Sequence, residues 1–164
     1  MYKNLKYLIK HSAVILVILL LVRICFAVAF VPMSVISSNL AVLPRLLFNL
    51  LRFDVQVICY VLLLPTVLTF IFAVLRKPWT DHALSRFRLI YFSIVSVLLL
   101  IISGIDMGFY ANFNSHINLT FFDFFNEGPM SLIQTVWEEY HCVYEAIAFL
   151  LITLPVLLLI RKIE

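Results

Sequence analysis

The chain alternates long apolar runs with shorter segments that hold most of its charged residues. Four of the runs are long enough to cross a bilayer as helices, because about 20 residues rising 1.5 Å each cover a hydrocarbon core of roughly 30 Å. The pattern predicts an all-α, polytopic membrane protein that forms a single membrane domain over residues 1–164. The predicted spans are residues 12–32, 55–75, 89–106 and 143–160.

The segments between the first three spans are of two kinds. Residues 40–53 place leucines at helical spacing with Arg45 and Arg52 off that stripe, which is typical of an amphipathic helix lying in the membrane interface. Residues 80–88 are predicted as a short basic loop. Within the second span, Pro65 removes a backbone hydrogen bond and predicts a kink whose freed carbonyl is satisfied by Thr66 or by a neighbouring helix.

Residues 106–141 form a polar and aromatic segment between the third and fourth spans. Acids and amides alternate there with phenylalanine, tyrosine and tryptophan, a mixture suited to the membrane boundary. The segment and the start of the second span supply a candidate polar cluster on one membrane face: Asp54, Asp106, Tyr110, Glu138 and His141.

Basic residues fix the expected orientation of these spans. With the N-terminus inside, nine lysines and arginines fall on the cytoplasmic side, Arg23 lies within the membrane, and only Arg45 and Arg52 lie outside. Both termini are therefore expected in the cytoplasm, with residues 106–141 on the outer face.

Composition supports the membrane class and excludes others. A chain of 164 residues that is 64% hydrophobic has more apolar surface than one small soluble core can bury. The net charge of +3 is too small, and its basic residues too scattered, to indicate nucleic-acid binding. Three widely spaced cysteines predict neither a disulfide framework nor a zinc site.

Arg23 is the charged residue placed deepest in a predicted span. An unpaired guanidinium near the bilayer centre costs about 2.5–3.5 kcal/mol on insertion scales, so a compensating group is expected. Two hypotheses follow. Arg23 pairs structurally with Asp54 or Asp106 of a neighbouring helix, or it faces a cavity that receives an anionic lipid headgroup together with Arg45 and Arg52.

Glu138, His141 and Glu145 share one helical face. An E-x-x-H pattern on a helix can supply metal ligands, but di-iron bundles need two such motifs and two further carboxylates. A hydrogen-bonded polar cluster is the alternative, and we expect no metal or cofactor in this chain.

Three stretches resemble a known family: RFDVQVICYVLLLP from Arg52, IDMGFYANFNSHINLTFFDFF from Ile105 and SLIQTVWEEYH from Ser131. They are similar to the N-terminal membrane domain of lipoteichoic-acid-synthase-like phosphoglycerol and phosphoethanolamine transferases, members of the alkaline phosphatase and sulfatase superfamily. The resemblance covers nearly all of the chain. Where it implies an arginine before the Ile-Asn of the second stretch, this chain has His116.

The resemblance implies a bacterial inner-membrane protein that anchors a transferase and positions its phospholipid donor. In that family a fifth span leads to an extracytoplasmic catalytic domain with a threonine nucleophile and manganese or magnesium. None of those residues occurs in this chain, so we expect a truncated product, a split subunit or an excised membrane domain. The expected partners are a membrane phospholipid and that catalytic domain, in the same or another chain.

A second class of function remains open. The chain is alternatively a stand-alone four-span protein that acts as a small transporter or as a scaffold subunit, although no internal repeat or small-residue dimer stripe is visible.

Overall fold

In a computed structural model, the structure describes residues 2–75, 80–118 and 142–164, and every regular element in those residues is an α-helix. The helices are α1 (Tyr2–Phe30), α2 (Met33–Ser38), α3 (Leu43–Leu75), α4 (Thr80–Phe113) and α5 (Cys142–Ile163).

Three of the helices are long and apolar enough to cross a membrane, over Asn4–Phe30, Leu43–Val74 and Asp81–Phe113. Many large apolar side chains on them are exposed, with Val28 81% and Phe70 68% exposed. Such exposed apolar surfaces are costly in water and ordinary against lipid, so the three helices suggest a membrane protein. The all-α class predicted from the sequence is confirmed for the described residues. The fourth predicted span lies in α5, and its crossing stays a prediction.

Two predicted boundaries are wrong. Residues 40–53 and 55–75 were expected as separate helices, but α3 begins at Leu43 and continues without a break to Leu75. Asp54 does not open a helix, because its carboxylate is paired with a neighbouring helix and is tolerated in the middle of α3. Residues 80–88, expected as a loop, form the first turns of α4, where Leu84 and Arg88 are buried.

The chain divides into two compact units, one of Met1–Leu98 with Val156–Glu164, and one of Leu99–Pro155. In the first unit α1 packs against α3. Along each helix its buried residues are three, four or seven positions apart, as one face of a helix requires. They are Leu8, His11, Ile15 and Ile18 on α1, Asp54, Ile58, Pro65 and Thr69 on α3, Leu84, Arg88, Phe92 and Ser96 on α4, and Ile160 on α5.

Pro65 is accommodated inside α3 by a side chain from α4. A proline has no N–H for the carbonyl four residues earlier, which here belongs to Val61. The Tyr91 hydroxyl donates to that carbonyl oxygen at 2.8 Å. Thr69 donates to the carbonyl of Pro65 itself at 2.7 Å. The expectation that a neighbouring helix satisfies the freed carbonyl is therefore confirmed, and Tyr91 is the residue that does so.

Replacing Tyr91 by Phe should lower the free energy of unfolding by about 1 kcal/mol, because the Val61 carbonyl then lacks a donor. In a Pro65→Ala background the same replacement should cost clearly less, since the introduced alanine supplies its own backbone N–H. A double-mutant cycle of unfolding in mixed micelles measures the difference. An equal cost in both backgrounds would show that Tyr91 does not compensate for the proline.

Candidate functional site

Arg23 and Asp54 form an ion pair between α1 and α3. The Arg23 Nε donates to both carboxylate oxygens of Asp54 at 3.1 and 3.0 Å, and its Nη2 donates to Oδ1 at 2.6 Å. The Asp54 side chain is 2% exposed and that of Arg23 is 36% exposed. Of the two hypotheses for Arg23, this contact is the arrangement expected for structural pairing.

Arg45 and Arg52 lie on a different face of α3. Seven residues turn a helix by nearly two full turns, so both point the same way about 10 Å apart, with Asn49 between them. Asp54 comes nine residues after Arg45 and thus lies on the opposite side. All three polar side chains on the Arg45 face are exposed, and no described acid forms an ion pair with either arginine.

Asp106 lies in the second unit, near the end of α4, where the chain turns back. Asn114 adopts a left-handed backbone with φ 50°, a conformation that asparagine tolerates better than most residues. The turn brings His116 Nδ1 to 2.8 Å from Asp106 Oδ2, and the Ile117 N–H donates to Oδ1 at 2.9 Å. The rings of Tyr110 and His116 lie 5.2 Å apart. His116, at the position where the resemblance implies an arginine, is thus held by a carboxylate.

The candidate polar cluster is only partly within the structure. Asp106 and Tyr110 meet through His116, as described, whereas Asp54 belongs to the pair with Arg23. Glu138 and His141 lie outside the described residues. Within residues 2–75, 80–118 and 142–164 no group of three or more His, Cys, Asp or Glu side chains could hold a metal ion.

A second ionic cluster, which the sequence analysis missed, joins α1, α4 and the end of α5. The Arg88 guanidinium donates two hydrogen bonds to the Glu164 carboxylate, from Nε to Oε1 at 2.7 Å and from Nη2 to Oε2 at 2.9 Å. His11 Nε2 lies 3.0 Å from the same Oε1. The side chains of His11, Arg88 and Glu164 are 0%, 2% and 6% exposed. We call these three residues the buried triad.

Neighbouring side chains complete the surroundings of the buried triad. Arg88 Nη1 donates to Asn4 Oδ1 at 3.2 Å, and its Cζ lies 4.9 Å from the centre of the Tyr7 ring. The His11 ring stacks on Phe92 with centroids 4.3 Å apart. Burial opposes ionisation of Glu164, but hydrogen bonds from Arg88, His11 and Ser85 prevail and lower the pKa of Glu164 to about 2. The triad therefore holds an ionised carboxylate between two helices.

The sequence carried a weak signal for the buried triad. Arg88 is spaced four residues from both Leu84 and Phe92, and His11 is three and four residues from Leu8 and Ile15, so each lies on an apolar stripe. The helical spacing of Leu84, Arg88 and Phe92 was overlooked because residues 80–88 were predicted as a loop. Nothing in the sequence pairs either residue with Glu164.

Over the described residues, these features are those of an all-helical chain with three helices apolar enough to cross a membrane and with buried charges paired between helices. No protein-family model, curated protein or solved structure matches the chain. The class therefore rests on the helices, their composition and these contacts.

The two halves of the Arg23–Asp54 pair should differ in their importance for stability. Replacing Arg23 by Leu leaves a buried carboxylate without a partner, and we expect a loss of about 3–5 kcal/mol. Replacing Asp54 by Leu should cost less, because the longer and more exposed Arg23 can reach a polar surface. The double replacement should recover most of the loss.

Reversible unfolding in mixed micelles gives the four free energies of this cycle. Arg52→Leu is the matched control, since Arg52 is an exposed arginine on the same helix and its loss should stay within about 0.5 kcal/mol. Additive losses in the double variant would contradict an energetic coupling between Arg23 and Asp54.

Proposed function

We propose that this chain is a four-span membrane domain that holds an anionic phospholipid headgroup on the Arg45 face of α3 and anchors a transferase-type catalytic domain. The observation that carries the proposal is the pair of exposed arginines, Arg45 and Arg52, on the side of α3 opposite the buried Asp54. Guanidinium groups bind phosphate oxygens with two parallel hydrogen bonds, which makes a phospholipid headgroup the matching ligand.

The length of α3 supports a headgroup location for these arginines. Its 33 residues span about 50 Å, whereas the hydrocarbon core is about 30 Å thick. Arg76 and Lys77 follow α3 in the sequence and favour the cytoplasmic border at that end. The surplus length then falls in the first turns of α3, which carry Arg45 and Arg52 beside exposed apolar side chains such as Leu47 and Phe48.

The buried triad supports the fourth span and the proposed orientation. Glu164 follows α5 and contacts residues near the start of α1 and α4, so these three ends lie together. We infer from these contacts that α5 returns the chain to the cytoplasmic side, where α1 and α4 begin. Lysines and arginines of these ends would then share one side of a bacterial inner membrane, with both termini cytoplasmic.

The resemblance to lipoteichoic-acid-synthase-like transferases supports the catalytic partner. A bound phosphoglycerol or phosphoethanolamine lipid on the outer side would be presented to an extracytoplasmic hydrolase-like domain. The coding sequence downstream or adjacent tests this part separately: a sulfatase-like domain there supports it, and unrelated neighbours favour the stand-alone scaffold.

The lipid site is tested by native mass spectrometry of the full chain released from nanodiscs. Replacing Arg45 and Arg52 by Gln should reduce retention of phosphatidylglycerol by about tenfold or more, because each lost charge-assisted hydrogen bond is worth about 1.5–3 kcal/mol. Phosphatidylethanolamine and diacylglycerol serve as zwitterionic and uncharged probes, and diacylglycerol retention should be unaffected.

Arg86→Gln with Lys162→Gln is the matched control, because it removes the same charge from exposed positions on other helices, α4 and α5. We expect this control to retain phosphatidylglycerol like the wild type. Equal losses of phosphatidylglycerol in both double variants would show that retention depends on net charge alone, and would contradict a lipid site at Arg45 and Arg52.

A further inference from the structure

In the buried triad, His11 has a hydrogen-bond partner among the described residues at only one of its two ring nitrogens. The ionised Glu164 carboxylate can only accept hydrogen bonds, so His11 Nε2 must be the donor in their 3.0 Å contact. The other ring nitrogen, Nδ1, is buried and has no hydrogen-bond partner among the described residues. The contact therefore selects the neutral tautomer with its proton on Nε2, leaving Nδ1 as a bare acceptor.

The charges around His11 balance only while it is neutral. The uncharged Phe92 ring of α4 stacks on His11, and Glu164 contacts it from the end of α5. Arg88 of α4 contacts the same Glu164 oxygen as His11. On α1 itself, the nearest ionisable side chains are Tyr7, one turn before His11, and the adjacent Lys10. The Lys10 Nζ lies 5.9 Å from the centre of the Tyr7 ring. One cation, Arg88, and one anion, Glu164, therefore balance each other beside the ring.

Glu164 does not take part in any change near neutrality. Its pKa is lowered to about 2, so the carboxylate stays ionised throughout the range from pH 5 to 8. Arginine keeps its charge in proteins, and histidine is the side chain that ordinarily changes charge in that range. A change in the charge of the buried triad in that range therefore comes from His11.

Protonation of His11 places a second N–H on Nδ1, where the structure offers no acceptor among the described residues. It also adds a second cation at an oxygen, Glu164 Oε1, that Arg88 already contacts at 2.7 Å. Buried donors without partners and buried uncompensated charges are both unfavourable. We propose that His11 is a proton-binding site, and that proton binding there releases Val156–Glu164 from α1 and α4.

The test is hydrogen exchange of the full chain in nanodiscs, followed by mass spectrometry at pH 8, 7, 6 and 5 and corrected for the intrinsic rate at each pH. In the wild type, protection of the helical amides in Val156–Glu164 should fall at least tenfold from pH 8 to pH 5. His11→Gln keeps an N–H donor near Glu164 but cannot take up a proton, so its protection should not change with pH.

His82→Gln is the matched control, because His82 is an exposed histidine on α4. It should follow the wild type. Constant protection in the wild type, or the same fall in His11→Gln as in the wild type, would overturn the proposal.

A second measurement keeps the proposal testable even where His11→Gln folds poorly. Nitrogen chemical shifts of isotope-labelled histidine in the wild type report the tautomer and titration of His11, once the signals of the other three histidines are assigned with His82→Gln, His116→Gln and His141→Gln. The Nε2–H tautomer should dominate at pH 8, and its titration midpoint should coincide with the opening of Val156–Glu164. A proton on Nδ1 at pH 8, or opening without titration of His11, would contradict the mechanism.

Discussion

The packing of the first unit depends on one constraint: a charge buried between apolar helices must meet an opposite charge. Arg23 meets Asp54 across α1 and α3, and Arg88 meets Glu164 across α4 and the end of α5. In lipid, apolar surfaces gain little by leaving their surroundings, so polar contacts and close packing decide which helices associate. Removing one partner leaves a buried charge, and this makes each pairing specific.

The spacing along α1 of the contacts made by His11 and Arg23 limits where these contacts can lie in a membrane. His11 and Arg23 are twelve residues apart, or about 18 Å along the helix axis. Because this distance is shorter than the hydrocarbon core of about 30 Å, the two residues cannot lie at opposite surfaces of the core. At least one contact therefore lies at hydrocarbon depth when α1 crosses a bilayer. The nearly complete burial of Asp54, His11 and Arg88 is what makes such a depth tolerable.

The hydrophobic pattern predicted the helices well because long apolar runs have few alternatives in a membrane. It failed at Asp54 and at residues 80–88, where a charge was taken as a helix boundary although a neighbouring helix neutralises it. The need for a partner for Arg23 was predictable from its depth, and Asp54 was one of two candidates. The contact of Arg88 and His11 with Glu164 was not predictable, since it joins residues 76 and 153 positions apart. Arg45 and Arg52 were placed off the leucine stripe, and their binding of a lipid headgroup stays a prediction, whereas Glu138 and His141 lie outside the described residues.

The most direct test of this account is a distance between the start of α1 and the end of α5 in a lipid bilayer. Spin labels at the exposed Lys10 and Lys162, each replaced by cysteine in a chain whose native cysteines are serines, suit pulsed electron resonance. The contacts of Glu164 with His11 and Arg88 predict that the two labels lie on the same membrane side, well under about 30 Å apart. A distance of about 30 Å or more, as expected for labels on opposite sides of the hydrocarbon core, would contradict the account.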